Sequence, residues 1–161
     1  MMSRPGDSEL QDLYRELLLD YSSSASHKGL IKGAELHSHG INPVCGDEIE
    51  LTLNTKAGAI DRLRYEGHGC VISQASCAMM AESLEGLSVE KARSLASAFK
   101  EMMLSKASLE SLPAELEIVR ALEGVRRFPM RVKCATLAWN TLLQMLAGPK
   151  GHAAEFQEVE G

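Results

Sequence analysis

The amino-acid sequence predicts an α+β fold, a small antiparallel β-sheet of about three strands packed against several α-helices. Three observations lead there. Residues 49–55, IELTLNT, alternate Ile49, Leu51 and Leu53 on one side of a strand. Residues 59–67, AIDRLRYEG, follow the turn-like TKAG as its hairpin partner. Beyond that hairpin the apolar residues recur at helical spacing to the region of residue 147. A chain of 161 residues, 45% of them hydrophobic, can bury one good core. A single domain is therefore expected over residues 1–147, with a flexible Gly- and charge-rich tail at 148–161.

Taken in order, DSELQDLYRELLLDY carries Leu10, Leu13, Tyr14, Leu17, Leu18 and Tyr21 at the spacing of an amphipathic helix, with Ser8 and Gln11 able to form a capping box. Residues 22–47 are rich in Ser, Gly and His and contain Pro43, so they form a long connection. A third strand is expected within 22–44. HGCVIS closes the β region, and Ser73 is the expected cap of a helix that stops at Gly86. The next helix buries Val89, Ala92, Leu95, Ala96, Phe99 and Met103 on one face. LPAELEIVRALEG places Pro113 at a first helical position, and FPMRVKCATLAWNTLLQML, entered through Pro129, is the last long helix.

Composition excludes several functions. A net charge of −5 argues against a general nucleic-acid binder or a partner of anionic membranes, since both call for a dense basic face. The opening MMSRPGDSEL is polar and acidic where an export signal would be basic and then apolar, and no apolar run approaches the roughly 20 residues of a membrane span. A cytoplasmic location is expected. There Cys45, Cys70, Cys77 and Cys134 stay reduced, which points to metal or thiol chemistry. The sequence has no C-x-x-C pair, so it is neither a zinc ribbon nor a thioredoxin-type site.

Three of the thiols fall at junctions. Cys45 sits in a loop before a strand, Cys70 at a strand-to-helix junction, and Cys134 near the start of the last helix; three such junctions can meet at one end of a sheet. With Asp47, which the intervening Gly46 lets fold back beside Cys45, they complete a tetrahedral set of three sulfurs and one oxygen suited to Zn²⁺. Three thiolates and a carboxylate leave a formal −2 around a divalent ion. Lys133 and the helix N-termini behind Cys70 and Cys134 can offset it and lower the thiol pKa values.

Cys77, beside Ala78, Met79 and Met80, reads as core. His37, His39 and His68 read as solvated loop residues, with His68 alone, two residues before Cys70, a candidate for supporting a ligand.

The stretches NPVCGDEIEL, GHGCVISQASCAMM and FPMRVKCATLAW resemble the three cysteine motifs of the SufU branch of the IscU/SufU iron–sulfur assembly proteins. The likeness extends from the first helix to the region of residue 147. Lys133, where IscU-type scaffolds have a histidine, and the added helical segment between Cys70 and Cys134 resemble SufU more than IscU. Cys77 departs from the pattern. The resemblance implies Zn²⁺ held by Cys45, Asp47, Cys70 and Cys134, and a sulfur acceptor that takes persulfide sulfur from a SufS-like cysteine desulfurase and passes it to downstream Fe–S assembly components. Such a protein is a zinc-dependent sulfurtransferase. The alternatives are an IscU-like scaffold carrying a transient Fe–S cluster and a module whose zinc is purely structural. A cysteine hydrolase is disfavoured because no ordered Cys/His pair is evident.

The loop position of Cys45, between Pro43 and Gly46, and the SufU likeness together nominate it as the persulfide acceptor. It is expected to leave the metal in the desulfurase complex, where a partner side chain takes its place. Analogy with IscU would nominate Cys134.

Overall fold

The computed structural model describes residues 5–105, 108–147 and 153–157. The first helix, α1, runs Pro5–Ser22. It starts ahead of Ser8, which lies inside the helix and not at its cap. The connection behind it yields the expected third strand as β1, Leu36–Asn42. Strand β2, Asp47–Lys56, and β3, Ala59–His68, form the hairpin. Ala57 and Gly58 both have positive φ at its turn, the backbone that fits the twist of a two-residue hairpin.

Antiparallel pairing joins β1 to β2 and β2 to β3. The strand order is β3-β2-β1-β4, because β4, Ala153–Gln157, adds a parallel edge to β1 within the segment expected to be a tail. Residues 148–152 and 158–161 lie outside the described residues.

Helix α2, Val71–Leu84, follows the sheet. Its cap is Cys70, not Ser73: the Cys70 sulfur accepts from the Ser73 amide. Helix α3, Val89–Leu104, is capped by Ser88. Next come a 3₁₀ turn at Leu109–Ser111 and a 3₁₀ segment at Ala114–Arg127 with a kink at Leu116. The sequence predicts a helix there starting with Pro113; the structure puts Pro113 at the cap and winds the segment more tightly. Leu116, Val119, Leu122 and Val125 are buried at intervals of three, the period of a 3₁₀ helix. Helix α4, Pro129–Ala147, completes the helical layer. Among the described residues no helix is long and apolar enough to cross a membrane.

Ile49, Leu51, Leu53, Leu63 and Tyr65 on the inner face of the sheet meet α2 and α4 in one continuous core. Within it Phe99 stacks on Trp139 with ring centroids 4.2 Å apart. The Trp139 indole donates to Ser76 Oγ (2.9 Å), and Ser76 Oγ donates to the Ala135 carbonyl (2.6 Å), so α2 and α4 are tied together by fully buried, satisfied hydrogen bonds. Strand β1 approaches α4 closely at Gly40, where a Cβ would meet Thr141 Oγ1 at 2.1 Å. These contacts fix the two helices whose N-terminal ends carry Cys70 and Cys134.

Candidate functional site

The loop between β1 and β2 is closed by the Gly46 N–H donating to the Asn42 carbonyl (2.9 Å), and Gly46 has φ +74°, a backbone that favours glycine. Cys45 stands exposed on this loop. Asp47, the first residue of β2, points inward and is fully buried. Its Oδ1 accepts from the Cys70 amide (3.0 Å). Gly69 lies against this contact: a Cβ there would sit 2.4 Å from Asp47 Oδ1 and 2.5 Å from Ser73 Oγ.

Cys134, buried in the second turn of α4, places its sulfur 3.3 Å from that of Cys45, and both sulfurs lie near the Met130 carbonyl. Donor atoms of Cys45, Asp47 and Cys134 all lie within 4.8 Å of one another. The other Asp47 oxygen, Oδ2, is buried with no hydrogen-bond partner among the described residues. An orphaned carboxylate oxygen beside two sulfurs is costly unless a proton or cation completes it.

Cys70 joins the group through Cys134. The neighbouring Cys134 thiol, helped by the Ser73 amide at the helix start, pulls the Cys70 thiol down to about 5 against the opposing effects of burial and the Asp47 charge. Cys134 moves the other way, raised by the nearby Cys70 thiol first and then by burial, with Asp47 and Cys45 adding to the effect. Arg131 is the cation that faces this negative charge, and its pKa is raised by Cys70 first and by Cys134 and Cys45 as well.

Three of the four candidate ligands, Cys45, Asp47 and Cys134, thus form a close cluster at one end of the sheet, and Cys70 stands beside it with its amide, not its sulfur, bonded to Asp47. Lys133 is half-buried next to Cys134 along α4. Cys77 is fully buried among core residues, and burial pushes its thiol well above the ordinary range.

The histidines are not loop residues. His37 and His39 are on β1 and His68 ends β3, each in contact with a glutamate of β2. Sequence reasoning passed over Arg131, although its spacing of three from Cys134 puts both on one side of a helix. Gly69 was missed too, because the close approach it permits is a tertiary contact. Around the thiols, Val44, Val71, Phe128 and Met130 are large apolar side chains left exposed, each near Cys45, Cys70 or Cys134 along the chain.

Residues 13–148 match the NifU-like N-terminal domain family. This chain belongs to that family. It is 35% identical over 145 residues to the zinc-dependent sulfurtransferase SufU of Bacillus subtilis, covering 90% of this chain and 97% of that protein. It is also 39% identical over 141 residues to the iron–sulfur cluster assembly scaffold protein IscU of Streptococcus pyogenes, with 86% of each covered. The crystal structure of a SufU from Fervidobacterium islandicum superposes with a TM-score of 0.75 at 36% identity, over 81% of this chain and 94% of that one. The family places the protein among iron–sulfur cluster assembly proteins of the SufU/IscU kind.

Proposed function

We propose that the protein is a zinc-holding sulfur acceptor, taking sulfane sulfur from a cysteine desulfurase and passing it on for iron–sulfur cluster assembly. The observation that carries this reading is the convergence of an exposed thiol, Cys45, with buried Cys134, the capping thiol Cys70 and the orphaned Asp47 oxygen.

The donor set suits zinc. Tetrahedral zinc–sulfur bonds of about 2.3 Å separate sulfurs by roughly 3.8 Å, so the 3.3 Å between Cys45 and Cys134 needs only a small opening. Cys45, Asp47, Cys70 and Cys134 would hold the ion, which supplies positive charge that keeps thiols deprotonated at neutral pH. A purely structural site usually uses four cysteine or histidine ligands. A carboxylate ligand beside an exposed, loop-borne thiol favours an exchangeable one.

Cys45 is the nucleophile. Cys70 caps α2 and Cys134 is anchored in α4, so moving either would disturb a helix end, whereas the Cys45 loop moves at small packing cost. The Cys45 thiolate attacks the outer sulfur of the desulfurase persulfide. A new S–S bond forms at Cys45, the partner's S–S bond breaks, and the partner cysteine leaves as thiolate. Arg131 supports the anionic sulfur. The exposed apolar rim of Val44, Val71, Phe128 and Met130 suits a protein partner that covers the thiols during transfer.

Incubation of the zinc-loaded protein with desulfurase and cysteine, followed by intact mass measurement, should show an added sulfur on the chain. No added sulfur would remove the acceptor reading. A scaffold reading is favoured by the likeness to the Streptococcus IscU; it expects instead that anaerobic supply of iron and sulfide leaves a stable cluster chromophore on this chain.

A further inference from the structure

One residue shapes the loop that carries Cys45. Asn42, the last residue of β1, accepts from the Gly46 amide through its main-chain carbonyl (2.9 Å) and from the Val44 amide through Oδ1 (3.3 Å). A main-chain amide can only donate, so the side-chain atom that faces Val44 is the oxygen, and the NH2 end is left over. Asn42 is fully buried, and its Nδ2 has no hydrogen-bond partner among the described residues.

The register sets Asn42 directly opposite Asp47, and both residues fall on the inner face of the sheet. Cβ atoms of such a pair lie about 5 Å apart, within reach of two short polar side chains. Asp47 Oδ1 is taken by the Cys70 amide (3.0 Å), while Oδ2 is buried and partnerless like the Asn42 amide. A donor without an acceptor thus stands opposite an acceptor without a donor. Each is costly alone, and rotation of the two side chains can join them.

We propose that Asn42 is a positioning residue of the thiol centre, donating from Nδ2 to the Asp47 carboxylate when that carboxylate holds the ion. A carboxylate oxygen has two lone pairs, so it can bind a cation and accept a hydrogen bond together. Held by the Cys70 amide at one oxygen and by Asn42 at the other, Asp47 keeps its orientation toward the ion. Asn42 belongs to β1 and not to the part of the loop that moves, so it stays with Asp47 when Cys45 swings out. The inference rests on the reading that Cys45, Asp47, Cys70 and Cys134 hold zinc. It adds a residue that ligates nothing and governs how fast the ion leaves.

The test is a double-substitution cycle on the full chain: wild type, Asn42→Ser, Asp47→Ala and the two together, each loaded with zinc and followed by release into excess chromogenic chelator. Serine keeps an oxygen for the Val44 amide but is too short to reach Asp47. Asn42→Ser should release zinc about tenfold faster than wild type, and adding it to Asp47→Ala should change nothing further. Asn42→Thr, which fills more of the space, should give the same pattern. Equal acceleration with and without Asp47 would overturn the proposal, because the asparagine would then act on the loop alone; so would release from Asn42→Ser and Asn42→Thr no faster than from wild type. A wild type that loses zinc as fast as Asp47→Ala would be a different failure, removing Asp47 from the metal site and the role of Asn42 with it.

Discussion

The mouth of α2 and its buried middle hold thiols seven residues apart, and the two behave oppositely. Cys70, at the cap, accepts from the Ser73 amide, and the neighbouring Cys134 thiol and that amide pull it down to about 5. Cys77, on the same helix, is enclosed by the core and pushed well above its ordinary range. The same contrast separates the two ends of the helical layer. Around Trp139 every polar group named above is satisfied and the rings are stacked, whereas beside Cys134 the Asp47 Oδ2 is buried and partnerless. The contrast is between these two places and not a rule of the fold, since the buried Tyr65 and Ser83 hydroxyls also lack a partner. Residue type alone does not make a reactive thiol; its place at a helix start does.

The contrast can be broken by substitution. The largest effect on the metal is expected for Cys134→Ser, which should lose zinc on purification and unfold at the temperature of the chelated wild type, as read by metal analysis and a thermal melt. Full zinc occupancy in that variant would mean the site lies elsewhere. Trp139→Ala acts on the other region. It removes the Phe99 stack and the Ser76 hydrogen bond, so urea titration should show a loss of about 3–5 kcal/mol while the folded fraction still takes up zinc.

Smaller effects sharpen the comparison. Asp47→Ala removes both the orphaned oxygen and the bond to the Cys70 amide, a change of about 1–2 kcal/mol; the fold should persist while zinc exchanges faster into a chromogenic chelator and sulfur uptake falls. Wild-type rates for both would take Asp47 out of the mechanism. In the metal-free protein, Cys70 alkylation by iodoacetamide should follow an apparent pKa of about 5, rising as pH increases through that value and levelling off above it. Cys77 should stay unmodified in the native state; an ordinary thiol profile at Cys70 would contradict the capping account. Cys77→Ala should cost the least, about 1 kcal/mol, and leave zinc content and sulfur uptake unchanged.

Much of this was legible in the sequence because the elements follow simple periods. The alternation of Ile49, Leu51 and Leu53 defines β2, and the junction positions of Cys45 and Cys134 foretell their approach. The 3₁₀ segment was less legible, although the interval of three from Leu116 to Val125 is its signal. His37 and His39 looked like loop residues because Ser38 and Gly40 between them break the strand pattern, yet both small residues are buried against the helical layer. Arg131 was hidden since an exposed helical arginine ordinarily needs no explanation, and only the tertiary approach of three thiols gives it one.

The central claim is that Cys45, the exposed member of the cluster, accepts the sulfur while Asp47, Cys70 and Cys134 remain with the fold. Peptide mapping of the protein after reaction with desulfurase and cysteine, under non-reducing conditions, tests it most directly. The extra sulfur should be found on the peptide containing Cys45. Sulfur on Cys134 with Cys45 unmodified would contradict the account.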